Sequence, residues 1–154
     1  MLTVSDAPID AAELLETFET TVASAGAIVT FSGNVRGQSD AGRVQMLDLQ
    51  AYSPMTQNGI AAAMDDANRH WPLSGLRVAH RTGRILAGET IVFVAAASAH
   101  RRAAFEAADF LMDYLKTKAV FWKKEVTEAG AVWIEPRAQD YEDAQRWRAK
   151  ETTE

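Results

Sequence analysis

Three consecutive pieces, Thr90-Ile-Val-Phe-Val-Ala-Ala-Ala97, Arg101 to Lys116, and Val120-Phe-Trp-Lys-Lys-Glu-Val-Thr127, decide the fold class of this 154-residue chain. The first is a short apolar run preceded by turn signals at Gly83 and Gly88, and it reads as a strand. In the second, Ala104, Phe105, Ala108, Leu111, Met112 and Leu115 recur at helical spacing, so a helix buries them. The third faces Ala131–Glu135 across Glu128-Ala-Gly130, which predicts a hairpin.

Upstream, Asp10 and Glu13 form a capping box for a helix over about residues 10–24 with Leu14, Leu15, Phe18 and Val22 inside. Ala27 to Ser32, Val44 to Tyr52 and Leu76 to His80 read as strands. Gly33 to Gly42 reads as a loop. Pro54 opens a second helix whose inner face carries Met55, Ile60, Ala63, Met64 and Ala67. Helices and strands mix without βαβ alternation, which predicts an α+β fold on a mixed, largely antiparallel sheet. Length predicts one domain over residues 1–137, and residues 138–154 read as a polar tail, helical or frayed.

Composition narrows the function. Charged residues make up 24% and hydrophobic ones 47%, as in ordinary globular proteins. There is no cysteine, so thiolate zinc sites, thiol nucleophiles and persulfide carriage on this chain are excluded. A net charge of -5 argues against a nucleic-acid coat protein. The N-terminus lacks the pattern of a signal peptide, and Ile91–Ala97 is far too short to span a bilayer. The expectation is a cytoplasmic protein with no nucleic-acid or membrane partner.

Charge is uneven along the chain. Residues 80–124 carry a balance of +4, against -9 for the rest. That segment is either a set of solvated edges or a focused site for a phosphate or carboxylate. His100-Arg101-Arg102 falls where a strand gives way to a helix, so free amides and the positive dipole end add to the side chains. His100 also suits a simple N-cap. Lys116 closes the helix, where the dipole favours a cation in any case. Lys123 shares a strand face with Phe121 and Glu125. A lysine there either snorkels to water or has a lowered pKa and serves as an acid–base group. Arg36, in the glycine-rich loop, is a phosphate clamp or a solvated residue.

In order and spacing, several pieces resemble the large, catalytic subunits of molybdopterin synthases. They are Phe31-Ser-Gly-Asn-Val-Arg36, Tyr52 with Met55, Arg69-His-Trp-Pro72, His80-Arg-Thr-Gly83, Gly88-Glu89, Ala99-His-Arg101, Asp113-Tyr-Leu-Lys116 and Phe121-Trp-Lys-Lys-Glu125. The match covers about residues 10–137. It departs at Gln50, where family members often have Glu, and at Val120, where a proline is usual.

The resemblance implies an α/β-hammerhead-like fold and a sulfurtransferase of molybdenum-cofactor synthesis. The substrate would be cyclic pyranopterin monophosphate. Sulfur would arrive as a thiocarboxylate on the C-terminal glycine of a small ubiquitin-like partner, which suits a chain without cysteine. The family roles put Arg36, His100, Arg101 and Arg137 on the substrate, and Lys116 and Lys123 in catalysis. No resident cofactor or metal is implied, since molybdenum enters at a later step. The alternative is a non-catalytic relative that docks the partner's tail or a phosphate ligand.

A helix over 101–116 would hold His100 and Lys116 roughly 22 Å apart. They then serve different parts of a long site, or a homodimer brings His100 of one chain to Lys116 of the other. The family's dimeric core, within a heterotetramer, favours the shared site.

Overall fold

A computed structural model describes residues 1–151; the last three residues of the expected tail, 152–154, lie outside the described residues. The elements in chain order are β1 (Leu2–Ser5), α1 (Ala11–Thr21), β2 (Ala27–Asn34), β3 (Gln38–Ser39), β4 (Gly42–Ala51), α2 (Met55–His70) and β5 (Leu73–Arg81). They continue with β6 (Gly83–Leu86), β7 (Thr90–Ser98), α3 (Arg101–Thr117), β8 (Phe121–Thr127), β9 (Gly130–Ile134) and α4 (Ala138–Glu151). Two sheets result. One runs β1-β5-β7-β2, and the other runs β3-β4-β8-β9 with β6 also paired to β4. Every pairing is antiparallel except β1 with β5. The α+β expectation therefore holds.

The apolar run of β7 is continuous because both of its faces are covered. Val92, Val94 and Ala96 meet the inner faces of α2 and α3. Phe93, Ala95 and Ala97 point the other way, toward Phe18 and Val22 of the α1 layer. Asp10 caps α1 as expected, its carboxylate accepting the Ala12 and Glu13 amides at 3.0 and 3.1 Å. That helix stops three residues earlier than the spacing suggests, and the chain turns at Gly26, whose amide donates to the Ser98 carbonyl. A Cβ at Gly26 would collide with the Ala99 carbonyl, so only glycine fits this approach.

Four local expectations need correction. Phe105 is 57% exposed. The buried stripe of α3 is instead Ala103, Ala104, Ala107, Ala108, Leu111 and Leu115, small residues that let the helix lie close to the sheet. Met55 is 53% exposed, and its neighbour Thr56 turns inward. The turn region around Gly83 holds β6, and the loop after β2 holds the two-residue β3. Strand β1 was not apparent in the sequence at all, because it exists by pairing with β5.

Thr56 also settles the Val120 departure. Its hydroxyl donates to the Val120 carbonyl at 2.5 Å and accepts the Tyr52 amide at 2.8 Å. The link between α3 and β8 is pinned without a proline. The last helix is docked on α3: Arg146 reaches Asp109 and Asp113 at 2.9 and 2.8 Å, and the Trp147 indole donates to Asp113 at 2.6 Å. Among the described residues no helix is long and apolar enough to cross a membrane.

Candidate active site

The C-terminal end of α3, the outer part of β4, strand β8 and the start of α4 enclose a cavity of about 330 Å³. Arg36, Lys116 and Lys123 all line it, with Phe121 and Glu125 beside them. Residues far apart in the chain are thus brought to one place, each by a simple local rule. Lys116 stands on the last turn of α3, where the negative end of the dipole favours a cation. Strand periodicity turns Lys123, Phe121 and Glu125 to the same side of β8. Arg36 is delivered by the loop after β2, at the exposed mouth.

The two lysines are not equivalent. Lys116 is exposed at the rim, while Lys123 is largely enclosed. Burial, chiefly, and the Lys116 charge together pull the Lys123 pKa from 10.5 down to about 8, with Asp140 opposing the shift. An amine titrating near 8 can hold a proton or give it up close to neutral pH. The snorkelling alternative does not describe this side chain.

Behind Lys123, the Phe121 ring stacks on His80 at 4.1 Å. His80 is 4% exposed and donates from Nδ1 to the Arg81 carbonyl at 2.9 Å. Burial brings its pKa down to about 4, against a raising contribution from that carbonyl bond and with help from the Lys123 charge. The ring pair behind Lys123 is therefore uncharged near neutral pH. Glu125 accepts the Ser39 hydroxyl at 2.5 Å.

The other expected residues lie elsewhere. His100, Arg101 and Arg102 line a shallow depression with Phe105 at the N-terminal end of α3. The helix is 17 residues long, so this site and the lysine cavity stand at opposite ends of it. His100 occupies the N-cap position without a side-chain capping bond, which removes the simple capping role. Arg137 does not line the cavity. Its guanidinium is 71% exposed and turns to Asp140 at 3.3 Å, because that carboxylate also accepts the Arg137 amide.

The basic segment of the sequence is divided as well. Arg81 is buried and bonded to Glu89 at 2.9 Å and to the Asp6 carbonyl, while Lys124 lies over the Trp133 ring. These are structural contacts, so the +4 balance overstated the site. Asp140 and Tyr141, which sequence reasoning passed over in the polar tail, stand at or beside the cavity. A buried acid in a polar helix leaves no periodic signal that could have marked it.

Comparison with known proteins agrees with this architecture. The model of the MoaE protein family matches residues 4–118. The chain is 48% identical over 122 residues to the molybdopterin synthase catalytic subunit of Escherichia coli (strain K12), covering 79% of this chain and 81% of the relative. It is 45% identical over 147 residues to the molybdopterin synthase catalytic subunit of Caulobacter vibrioides, covering 96% and 97%. Among solved structures, molybdopterin cofactor biosynthesis protein E from Burkholderia multivorans superposes with a TM-score of 0.80 at 32% identity, covering 96% of both chains. The chain belongs to the MoaE family of molybdopterin synthase catalytic subunits.

Proposed function

We propose that this chain transfers sulfur from the thiocarboxylate of a small ubiquitin-like partner to cyclic pyranopterin monophosphate, forming molybdopterin in the cytoplasm. The observation that carries the reading is the meeting of Arg36, Lys116 and Lys123 in one cavity, with Lys123 brought down to a pKa of about 8.

Lys116, exposed at the rim, is suited to hold the partner's thiocarboxylate as its tail enters. Lys123, deeper and close to its titration point, is suited to give a proton to the oxygen that leaves the pterin side-chain carbon, as water or as a phosphate oxygen, when sulfur bonds there in its place. Each transfer leaves the partner's acyl carbon to be released by water as an ordinary carboxylate. The uncharged His80 stacked behind Phe121 adds no competing charge next to Lys123. Arg36 provides a cation for the phosphate at the mouth.

His100 and Arg101 are the natural phosphate ligands in a homodimer that lays this end of α3 against the partner copy's lysine cavity, each dimer carrying two small subunits as a heterotetramer. Within one chain the helix length keeps the two ends apart. The Thr56 bond pins the link at Val120, so the missing proline there gives little ground for a docking relative without chemistry.

A single-turnover incubation with thiocarboxylated partner and cyclic pyranopterin monophosphate, read by mass spectrometry, tests the reading. The expected product is two sulfurs richer than the substrate and fails to form with Lys116→Ala. A bound partner whose thiocarboxylate survives intact would overturn it.

A further inference from the structure

The loop that delivers Arg36 is fixed unevenly. On one side of Arg36, Val35 is 3% exposed, its amide donates to the Glu89 carbonyl at 2.9 Å, and its carbonyl accepts the Gly88 amide at 2.8 Å. On the other side, Gly37 accepts the Val44 amide at 3.0 Å, and the two-residue strand β3 follows. Its ladder with β4 has two residue pairs, Gln38 with Arg43 and Ser39 with Gly42. A hairpin this short holds little structure by itself. Arg36 and Gln38 nevertheless both line the lysine cavity.

A side-chain bond supplies the second fixed point. Ser39 donates from Oγ to Glu125 Oε1 at 2.5 Å, across 86 positions of sequence. The same hydroxyl accepts the Ala41 amide at 3.2 Å, so it is oriented from within the turn. Hydroxyl-to-carboxylate bonds are among the stronger ones. In the sheet, β4 lies between β3 and β8, so the bond passes over β4. Glu125 shares its strand face with Lys123 and lines the same cavity. The bond therefore ties the loop that carries Arg36 directly to the strand that carries Lys123.

The fold does not need this bond to hold β8. That strand already pairs with β4 on one side and β9 on the other. The turn at Asp40-Ala41 is closed by Gly42, whose φ of 111° suits glycine. The consequence of the bond is felt at the cavity mouth.

We infer that Ser39 is a positioning residue of the cavity: by holding the Glu125 carboxylate it sets Arg36 at the mouth, at a fixed reach from Lys123, to meet the substrate phosphate. Ser39 acts through Arg36 and touches no reacting atom. The consequence rests on the reading of Arg36 as a phosphate ligand, whereas the clamp rests on its own geometry.

The test is a double-mutant cycle of Ser39→Ala and Arg36→Ala on the full chain. Its first readout is the dissociation constant of cyclic pyranopterin monophosphate, taken by calorimetry without the partner. Ser39→Ala should weaken binding about three- to tenfold, and Arg36→Ala about tenfold or more. The double variant should bind no worse than Arg36→Ala alone. Ser39→Thr, which keeps the hydroxyl, should bind like wild type. The second readout is hydrogen exchange over residues 36–43, which should quicken in Ser39→Ala and not in Ser39→Thr.

If the two losses multiply in the double variant, Ser39 does not act through Arg36 and the proposal falls. It falls equally if exchange quickens while binding is unchanged, since the bond then only steadies the loop. Exchange that stays at the wild-type rate in Ser39→Ala, or an Arg36→Ala protein that binds normally, would also overturn it. If the cycle shows the coupling but wild-type protein takes no sulfur from thiocarboxylated partner, the clamp stands and the sulfur-transfer reading falls.

Discussion

The two ends of α3 present the same kind of residue in opposite settings. At the C-terminal end, Lys116 and Lys123 border an enclosed cavity where burial and mutual repulsion bring one amine to a pKa of about 8. At the N-terminal end, His100, Arg101 and Arg102 are exposed around a shallow depression. The enclosed end is built to change protonation state. The open end presents exposed basic side chains that can meet a ligand or another surface. Chemistry and anion binding are thereby separated along one helix, and a small substrate can use both only if a second chain closes the gap.

The largest expected effect falls on the enclosed end. Replacing Lys123 or Lys116 with Ala should slow single-turnover sulfur transfer by about 10²–10⁴-fold, the usual worth of a positioned acid–base group. Rapid-quench mass spectrometry measures it. A loss smaller than tenfold for both variants would erase the distinction between the two ends.

Stability gives the next contrast. With its pKa lowered to about 8, Lys123 costs the fold stability below that pH, where the ammonium is held in both folded and unfolded chains. The penalty is relieved as pH rises from about 8 toward 10.5, where the unfolded chain still binds a proton that the fold has released. Lys123→Met should therefore raise unfolding free energy at pH 7, by as much as ~3 kcal/mol, with a smaller gain at pH 10. Arg101→Ala, on the open end, should stay within about 0.5 kcal/mol at either pH. Urea denaturation at the two pH values compares them.

The smallest expected effect belongs to ligand affinity. His100→Ala or Arg101→Ala should raise the substrate concentration for half-maximal rate by roughly tenfold, the worth of one charge-assisted bond, while the saturated rate changes little. A fall in saturated rate equal to that of the lysine variants would place the open end in the chemistry.

Much of this contrast could be read from the residues. Strand β7, helix α3 and the β8–β9 hairpin follow from period and turn chemistry, because both faces of β7 and one stripe of α3 are buried. The lysine pair and Arg36 were legible as types and as a family pattern. Their meeting in one cavity needed the pairing of β4 with β8, which local sequence does not encode. Phe105 was misplaced because helical spacing allows neighbouring stripes, and the choice falls to the close fit of four alanines against the sheet. Strands β1 and β6 are four residues each and owe their form to partners. Asp140 was hidden for a similar reason: the packing of α4, not its composition, buries the acid.

The most direct test of the division between the two ends is a mixing experiment. Lys116→Ala protein, inactive alone, and His100→Ala protein, impaired when substrate is far below saturation, are mixed, allowed to exchange subunits and assayed at such a substrate concentration with thiocarboxylated partner and cyclic pyranopterin monophosphate. If each site takes His100 from one chain and Lys116 from the other, every mixed dimer has one intact site, and activity should return to about a quarter of wild type after random exchange. Mixed dimers verified by mass that recover no activity would contradict a site shared between two chains.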